Sequence, residues 1–344
     1  MKGNEMMIPF IPPKRRYLYA HKPSQDIEFY FPLTGISITQ PLKIGKCQVI
    51  PISMFKEPNK FPRIMISNIT CVAKTIVDVS EKWKSVCDNY SIALQLTKQS
   101  IGALYLALYN SKNRSDDNRR IVISNVGKHE LDEGLVIYKS ESSLNNYTNI
   151  SKTLFFDDKD QNSLFVSHLD VINAKMQEFY SKDCEFGNKI LKALEIIYCI
   201  NNEIYSNERI LKVCASINML FKDNSGKEID CNWIASQLNQ LFNYFSIDIK
   251  GKIPNELLDD SFSKTKYTFL FVDKYKKIRN NFMHGIIELY QEFTVINTVD
   301  YLFYIISLYE LLNIMICKPD FKIVTTTDEF IQILKNNNKK YSNK

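Results

Sequence analysis

Glycine is scarce in this chain, with ten among 344 residues. So few glycines, and none grouped into a G-x-G-x-x-G or P-loop pattern, argue against a phosphate-cradling loop and hence against an ATP or dinucleotide site. Eight cysteines are present (Cys47, Cys71, Cys87, Cys184, Cys199, Cys214, Cys231 and Cys317), but no two form a Cys-x-x-Cys pair and none lies close to a histidine. Neither a zinc site nor a disulfide framework is signalled, so no metal and no cofactor is expected, and most of the thiols read as small buried hydrophobes of a reducing compartment. Met1 to Arg16 holds Pro9, Pro12 and Pro13 without an apolar core segment, which gives no signal peptide and predicts a cytoplasmic protein. Long apolar runs are also missing. The nearest, Tyr301 to Cys317, contains Glu310 and Asn313 and falls short of the roughly 20 residues a bilayer span needs, so it predicts a buried helix and no membrane partner.

What remains is ordinary globular composition: 45% hydrophobic and 24% charged residues, with length enough for two domains. The net charge of +6 is a mild basic excess that tolerates a polyanionic partner without requiring one. No internal repeat of solenoid type is found.

Two regions of different character follow one another. From Ile27 to Ser53 the chain alternates and breaks as strands do, with Glu28 to Phe31, Ile36 to Thr39 and Cys47 to Ile50 separated by Pro and Gly, which predicts a strand meander. Met65 to Val79 and Ile121 to Val126 are rich in β-branched residues, Ser91 to Tyr109 fits helix or strand equally, and Asn110 to Arg120 and Lys139 to Lys152 read as exposed loops. After about residue 170 apolar residues recur every three or four positions, and no proline occurs between Pro62 and Pro254. Helices are predicted at Leu169 to Tyr180, Asn188 to Asn202, Glu208 to Phe221, Asn232 to Tyr244, Phe269 to Tyr290 and Thr298 to Ile316. Lys335 to Lys344, mostly Lys and Asn, predicts a disordered basic tail.

The segment Asp273-Lys274-Tyr275-Lys276-Lys277-Ile278-Arg279-Asn280-Asn281-Phe282-Met283-His284-Gly285-Ile286 carries the chemistry. At about 100° per residue, Tyr275, Ile278, Phe282, Ile286 and Leu289 fall within an arc of about 80°, a core-facing stripe. Arg279, Asn280 and His284 lie on the remaining face, where they can border one shallow site. Met283 and Ile287 share that otherwise polar arc, and a second subunit is the obvious surface for them to meet. The trio suits attack of a ribose 2′-hydroxyl on its neighbouring phosphodiester. Histidine exchanges a proton near neutrality, arginine holds phosphate oxygens and offsets the charge of the transition state, and asparagine orients the imidazole or donates to the phosphate. One helix supplies one histidine where acid and base are both wanted, so a homodimer facing two copies completes the machinery. DNA lacks the nucleophile. Lys274, Lys276 and Lys277 are candidate RNA contacts, extended by Lys264 and Lys266 with Tyr267 and Tyr275 interleaved as stacking surfaces. Arg16 to His21 repeats the arginine and histidine spacing in a proline-flanked stretch without helical period, so spacing alone is weak. The plain alternative is a surface arginine beside a capping or core-edge histidine. His129 and His168 have no close partner in sequence and receive no role.

Arg279-Asn280-Asn281-Phe282-Met283-His284 resembles the motif of the HEPN superfamily of ribonucleases, and the Arg-Asn-x-x-x-His-Gly form late in a helical region looks most like the ApeA-like HEPN group of bacterial anti-phage and toxin systems. The match covers residues 185 to 320. The resemblance implies a bundle of four or more helices, a composite RNase site between two protomers working without metal, and catalytic roles for Arg279, Asn280 and His284. One departure concerns an earlier helix, where the family often carries an acidic residue and this chain has Asn218.

The resulting expectation is an α+β chain: a β-rich N-terminal recognition domain over residues 1–165, an all-α HEPN bundle over 170–334, and the tail 335–344. The expected activity is metal-independent endonucleolytic cleavage of RNA, a tRNA anticodon loop being a family-based guess, in anti-phage defence or as a toxin held by an antitoxin. The N-terminal domain would bind a phage or cellular trigger. The rival expectation is a catalytically inactive HEPN module that binds RNA or docks a protein.

Overall fold

The computed structural model describes residues 27–55, 69–77, 86–111, 120–123, 126–131, 134–139, 154–156, 163–203, 206–222, 230–273, 275, 298–321 and 324–341. It has the α+β layout, with strands first and helices dominating thereafter. The strands are β1 (Ile27–Thr34), β2 (Ile36–Ile38), β3 (Leu42–Ile44), β4 (Cys47–Pro51), β5 (Cys71–Val77), β6 (Val122–Ile123), β7 (Val126–Leu131), β8 (Gly134–Lys139) and β9 (Leu154–Phe156). The helices are α1 (Val86–Asn110), α2 (Ser163–Lys182), α3 (Glu185–Asn202), α4 (Ser206–Phe221), α5 (Cys231–Tyr244), α6 (Asp260–Lys264), α7 (267–273, with Tyr275 also helical), α8 (Thr298–Cys317) and α9 (Thr327–Tyr341).

The main sheet is antiparallel in the order β3-β4-β5-β1-β7-β8, with β6 also on β1, and β2 pairs in parallel with β9 apart from it. The expected meander is therefore only partly realised: β1 pairs with β5, Phe29 opposite Thr75 and Phe31 opposite Ala73, while its sequence neighbour β2 leaves the sheet. Gly35 makes that departure possible, at φ +80 and packed so closely on the Arg120 carbonyl that a Cβ would lie 1.8 Å from it.

One face of the sheet, bearing Phe29, Phe31, Leu33, Val49 and Ala73, is fully buried. Helix α1 covers it, and this settles the open reading of Ser91 to Tyr109. Over residues 99–108 α1 is buried on every side, because it lies between the sheet and the helical layer, and apolar residues all round such a helix leave no amphipathic period to read. Thr97 donates to Ala93 O at 2.8 Å and receives a hydrogen bond from Thr75 Oγ1 at 2.8 Å, tying the helix to β5. On the other side Gly102 meets α3 so closely that a Cβ would come within 1.9 Å of Leu194 O.

The two sequence regions consequently share a core. A single cluster of buried side chains runs from Phe29 in β1 to Leu334 in α9, so the change of character near residue 165 does not coincide with a gap in packing. Helix α8, long and apolar enough to cross a membrane by length and composition alone, has 89% of that window buried within the protein. Its polar groups are paired: Glu310 accepts from Tyr109 Oη at 2.6 Å and bridges Lys252 at 2.6 Å, and Asn313 exchanges hydrogen bonds with Asn110 at 2.7 and 2.5 Å.

The expected tail is corrected at 335–341, which are helical in α9. Two causes are visible. Thr326 and Glu329 form a capping box, Thr326 Oγ1 accepting from Glu329 N and Glu329 Oε2 accepting from Thr326 N, each at 3.2 Å. Phe330 then anchors the helix against Phe186, Phe221 and Phe321 at ring separations of 5.4 to 5.6 Å.

In an ordinary helix Gly→Ala stabilises by about 1 kcal/mol. At Gly102 the sign should reverse, since the added methyl meets backbone and not a yielding side chain, at a cost of about 1–3 kcal/mol. Urea denaturation of Gly102→Ala tests this, and a variant as stable as wild type or more so would show that α1 and α3 are not held at this separation.

Candidate active site

Residues 274 and 276–297 lie outside the described residues. The expected catalytic residues Arg279, Asn280 and His284 are among these, as are the expected RNA contacts Lys274, Lys276 and Lys277 and the stripe residues Ile278, Phe282, Ile286 and Leu289. What is described is the helix that enters this segment, α7, and the helix that follows it, α8.

Tyr267, Phe271 and Tyr275 stand one turn apart along α7 and form a stacked aromatic ladder, with ring centroids 6.1 and 5.9 Å apart and interplanar angles of 25° and 12°. The ladder is fixed to α8. Tyr267 Oη and Ser307 Oγ are hydrogen bonded at 3.1 Å, and Tyr304 Oη donates to Phe271 O at 2.6 Å. Phe242 of α5 packs edge-on against Tyr267 at 5.6 Å. Tyr267 and Tyr275 are only 9% and 4% exposed, which corrects their expected part as base-stacking surfaces: they belong to the core. Of the outlying lysines, Lys264 is exposed beside Asp260 at 3.3 Å and Lys266 is exposed.

At about 100° per residue, the buried residues Tyr267, Leu270, Phe271 and Tyr275 span an arc of about 140°. Phe269, 65% exposed, points about 170° away from the middle of that arc. The helix that enters the motif thus has one buried side and one open side, and the open side carries a large apolar ring.

Asn218 of α4 meets the last described residue before the motif. Its Nδ2 donates to Tyr275 Oη, while its buried Oδ1 has no hydrogen-bond partner among the described residues. Burial pushes the Tyr275 phenol up to about 12, the Asn218 bond partly offsetting the shift, so Tyr275 stays neutral across the physiological range. Burial likewise raises the phenol of Tyr304 and the thiol of Cys214 nearby.

Elsewhere, Cys47, Cys71, Cys214 and Cys231 are buried and in no disulfide among the described residues, and burial lifts Cys47 to about 12 and Cys71 to about 11. They are packing residues, as their scatter in sequence suggested. His168 is half-buried on α2 and His129 stands opposite Phe29 in the sheet; Arg16 and His21 lie outside the described residues. The exposure of Phe269 escapes a reading of the sequence by periodicity, because a Phe at that position looks like core until its three aromatic neighbours claim the other side. No family model, curated protein or solved structure matches the chain.

Tyr275→Phe should cost about 1–3 kcal/mol, since the buried Asn218 amide nitrogen then loses the phenol that accepts from it. Adding Asn218→Leu should recover most of that loss. Chemical denaturation of the two single variants and the double variant measures the coupling, and strictly additive losses would mean that the amide and the phenol do not depend on each other.

Proposed function

We propose that this protein is a HEPN-type, metal-independent endoribonuclease that acts as a homodimer, with Arg279, Asn280 and His284 as catalytic residues and Lys274, Lys276 and Lys277 as contacts to the RNA backbone. The observation that carries the reading is the rotational phase of α7. Continued at about 100° per residue, the buried arc of Tyr267, Phe271 and Tyr275 passes through Ile278, Phe282, Ile286 and Leu289, the apolar stripe of the motif segment. In this reading a helix continued with that period would carry Asn280 and His284 on the side of Phe269, with Arg279 at its margin. Met283 and Ile287 fall there too, so the reacting groups share a surface with three large apolar residues, the composition of a patch that a second subunit covers.

In this reading the imidazole of one His284 takes the proton from the ribose 2′-hydroxyl, and the oxygen attacks the adjacent phosphorus. The bond to the 5′ oxygen breaks, and an imidazolium, that of the partner's His284, returns a proton to the leaving group. Arg279 balances the charge on the phosphate oxygens as the fifth bond forms, and Asn280 orients the imidazole or donates to the same phosphate. The products are a 2′,3′-cyclic phosphate and a free 5′-hydroxyl. The setting is anti-phage defence or a toxin, in the cytoplasm, with cellular RNA such as tRNA as substrate and the sheet-bearing half recognising a trigger.

A second reading, an inactive HEPN module that binds RNA or docks a protein, is favoured by one observation. Asn218, at the position where the family often has an acid, is a neutral amide engaged with Tyr275 and supplies no carboxylate to the site.

The two readings part in one experiment: purified protein with total RNA in the presence of a chelator, beside His284→Ala. Cleavage leaving 2′,3′-cyclic phosphate ends, slowed by about 10²- to 10⁴-fold in the variant, is the outcome expected of the enzyme. Wild-type protein that binds RNA but never cuts it would leave the second reading standing.

A further inference from the structure

The β3–β4 turn, far from the motif in sequence, is held more firmly than a surface hairpin requires. Gly45 N–H donates to Asn173 Oδ1 at 2.7 Å, Asn173 Nδ2 donates to Lys43 O at 3.1 Å, and Gln177 Nε2 donates to Gly45 O at 2.6 Å. Ser100 Oγ adds a hydrogen bond to Ile44 O at 2.8 Å. Three of these come from α2 and one from α1, each contributing about 1 kcal/mol of net stability. Gly45 itself, at φ +57, sits where a Cβ would meet the Met176 methyl at 2.8 Å. Loops that only connect strands are ordinarily left to solvent.

Beside this clamped turn opens a cleft of about 630 Å³, lined by Lys43, Lys46, Lys74, Gln48, Ile76 and Gln177, among others. Among the described residues no carboxylate lines it. Lys74 is already neutralised by Glu28 at 2.5 Å. Lys43 and Lys46 are both exposed and carry no ion pair among the described residues, Lys46 lying instead over the Tyr180 ring at 5.7 Å. Two uncompensated ammonium groups are thus held on one rigid turn at the wall of a concavity, where low-dielectric walls concentrate the field of like charges.

We infer that this cleft is a binding site for a phosphate-bearing small molecule, with Lys43 and Lys46 as the anchors of two adjacent phosphates and the amides of Gln48 and Gln177 available to its polar body. Lysine serves as a point-charge phosphate ligand without any glycine-rich loop, so the scarcity of glycine does not weigh against it. The volume lies within the range of small-molecule sites and suits a nucleotide. The clamp matters because a turn ordered in advance surrenders little entropy on binding. The site is independent of the cleavage reading and stands or falls separately from it.

The test is calorimetric titration of the full chain at low salt with ATP, pyrophosphate and adenosine. ATP and pyrophosphate should bind and adenosine should not, and Lys43→Glu/Lys46→Glu should weaken both by about tenfold or more. Both side chains are exposed, and circular dichroism together with the milder Lys43→Gln/Lys46→Gln pair, expected to fall in between, guards against a folding defect. Absence of binding by wild type, or equal binding by wild type and the charge-reversed pair, would overturn the assignment. So would a short single-stranded DNA, which the proposed cleavage cannot consume, binding through the same two lysines more tightly than ATP, since the occupant would then be a nucleic-acid strand.

Discussion

Helix α8 can lie buried on nearly all sides only because its inward polar groups are matched from the elements around it, and those matches set where the elements sit. Glu310 is answered by Tyr109 of α1 and by Lys252, Asn313 by Asn110, Tyr309 by Asn201 of α3, and Tyr304 donates to the carbonyl of Phe271 in α7. An unpaired polar group in such a place costs more than a paired one contributes, so each partner is confined to one register against α8. The sheet-bearing half enters through α1, whose close approach to α3 at Gly102 brings its last turn to Glu310 and Asn313. Two regions of contrasting sequence are in this way parts of one packed body.

The same constraint fixes the rotation of α7. With Phe271 O taken by Tyr304 and Tyr267 bonded to Ser307, the aromatic ladder cannot turn away from α8, and Tyr275 at its end is held in addition by Asn218. A helix gripped along one side by three rings presents its other side outward, where Phe269 stands exposed. In the proposed chemistry, positioning is done by hydrocarbon and buried phenols, and the groups that exchange protons and bear charge would belong to the opposite face. The phenols serve this purpose well because burial keeps them neutral.

Much of this is legible in the residues. The helical periods of the second half mark α2 to α5 to within a few residues at most ends, since those helices have one apolar and one polar side, and α8 shows through its length of nearly continuous apolar residues. The strands β1, β4 and β5 show through their alternation and β-branched content. Four features resist reading, each for a physical reason. Helix α1 is apolar all round at its centre, so no period distinguishes it from a strand. Helix α9 ends in Lys and Asn, and composition hides a helix whose stability comes from the Thr326–Glu329 cap and from Phe330. Tyr267 passes for a surface aromatic among lysines until its hydroxyl is seen to find Ser307. The departure of β2 to pair with β9 depends on contacts more than a hundred residues apart, which no local pattern encodes. As for the site, its residue types and their spacing come from the sequence, and the structure contributes the phase of the helix that leads into it.

The proposed reading turns on whether His284 offers an imidazole that exchanges protons with solvent and meets phosphate. The chain has four histidines, so proton NMR resolves few imidazole signals, and the one lost in His284→Ala identifies itself. That resonance should move as the pH is changed from 5 to 8 and shift when inorganic phosphate is added. A His284 signal that stays unchanged from pH 5 to 8, and is indifferent to phosphate, would mean an imidazole sealed in the core and would contradict the account.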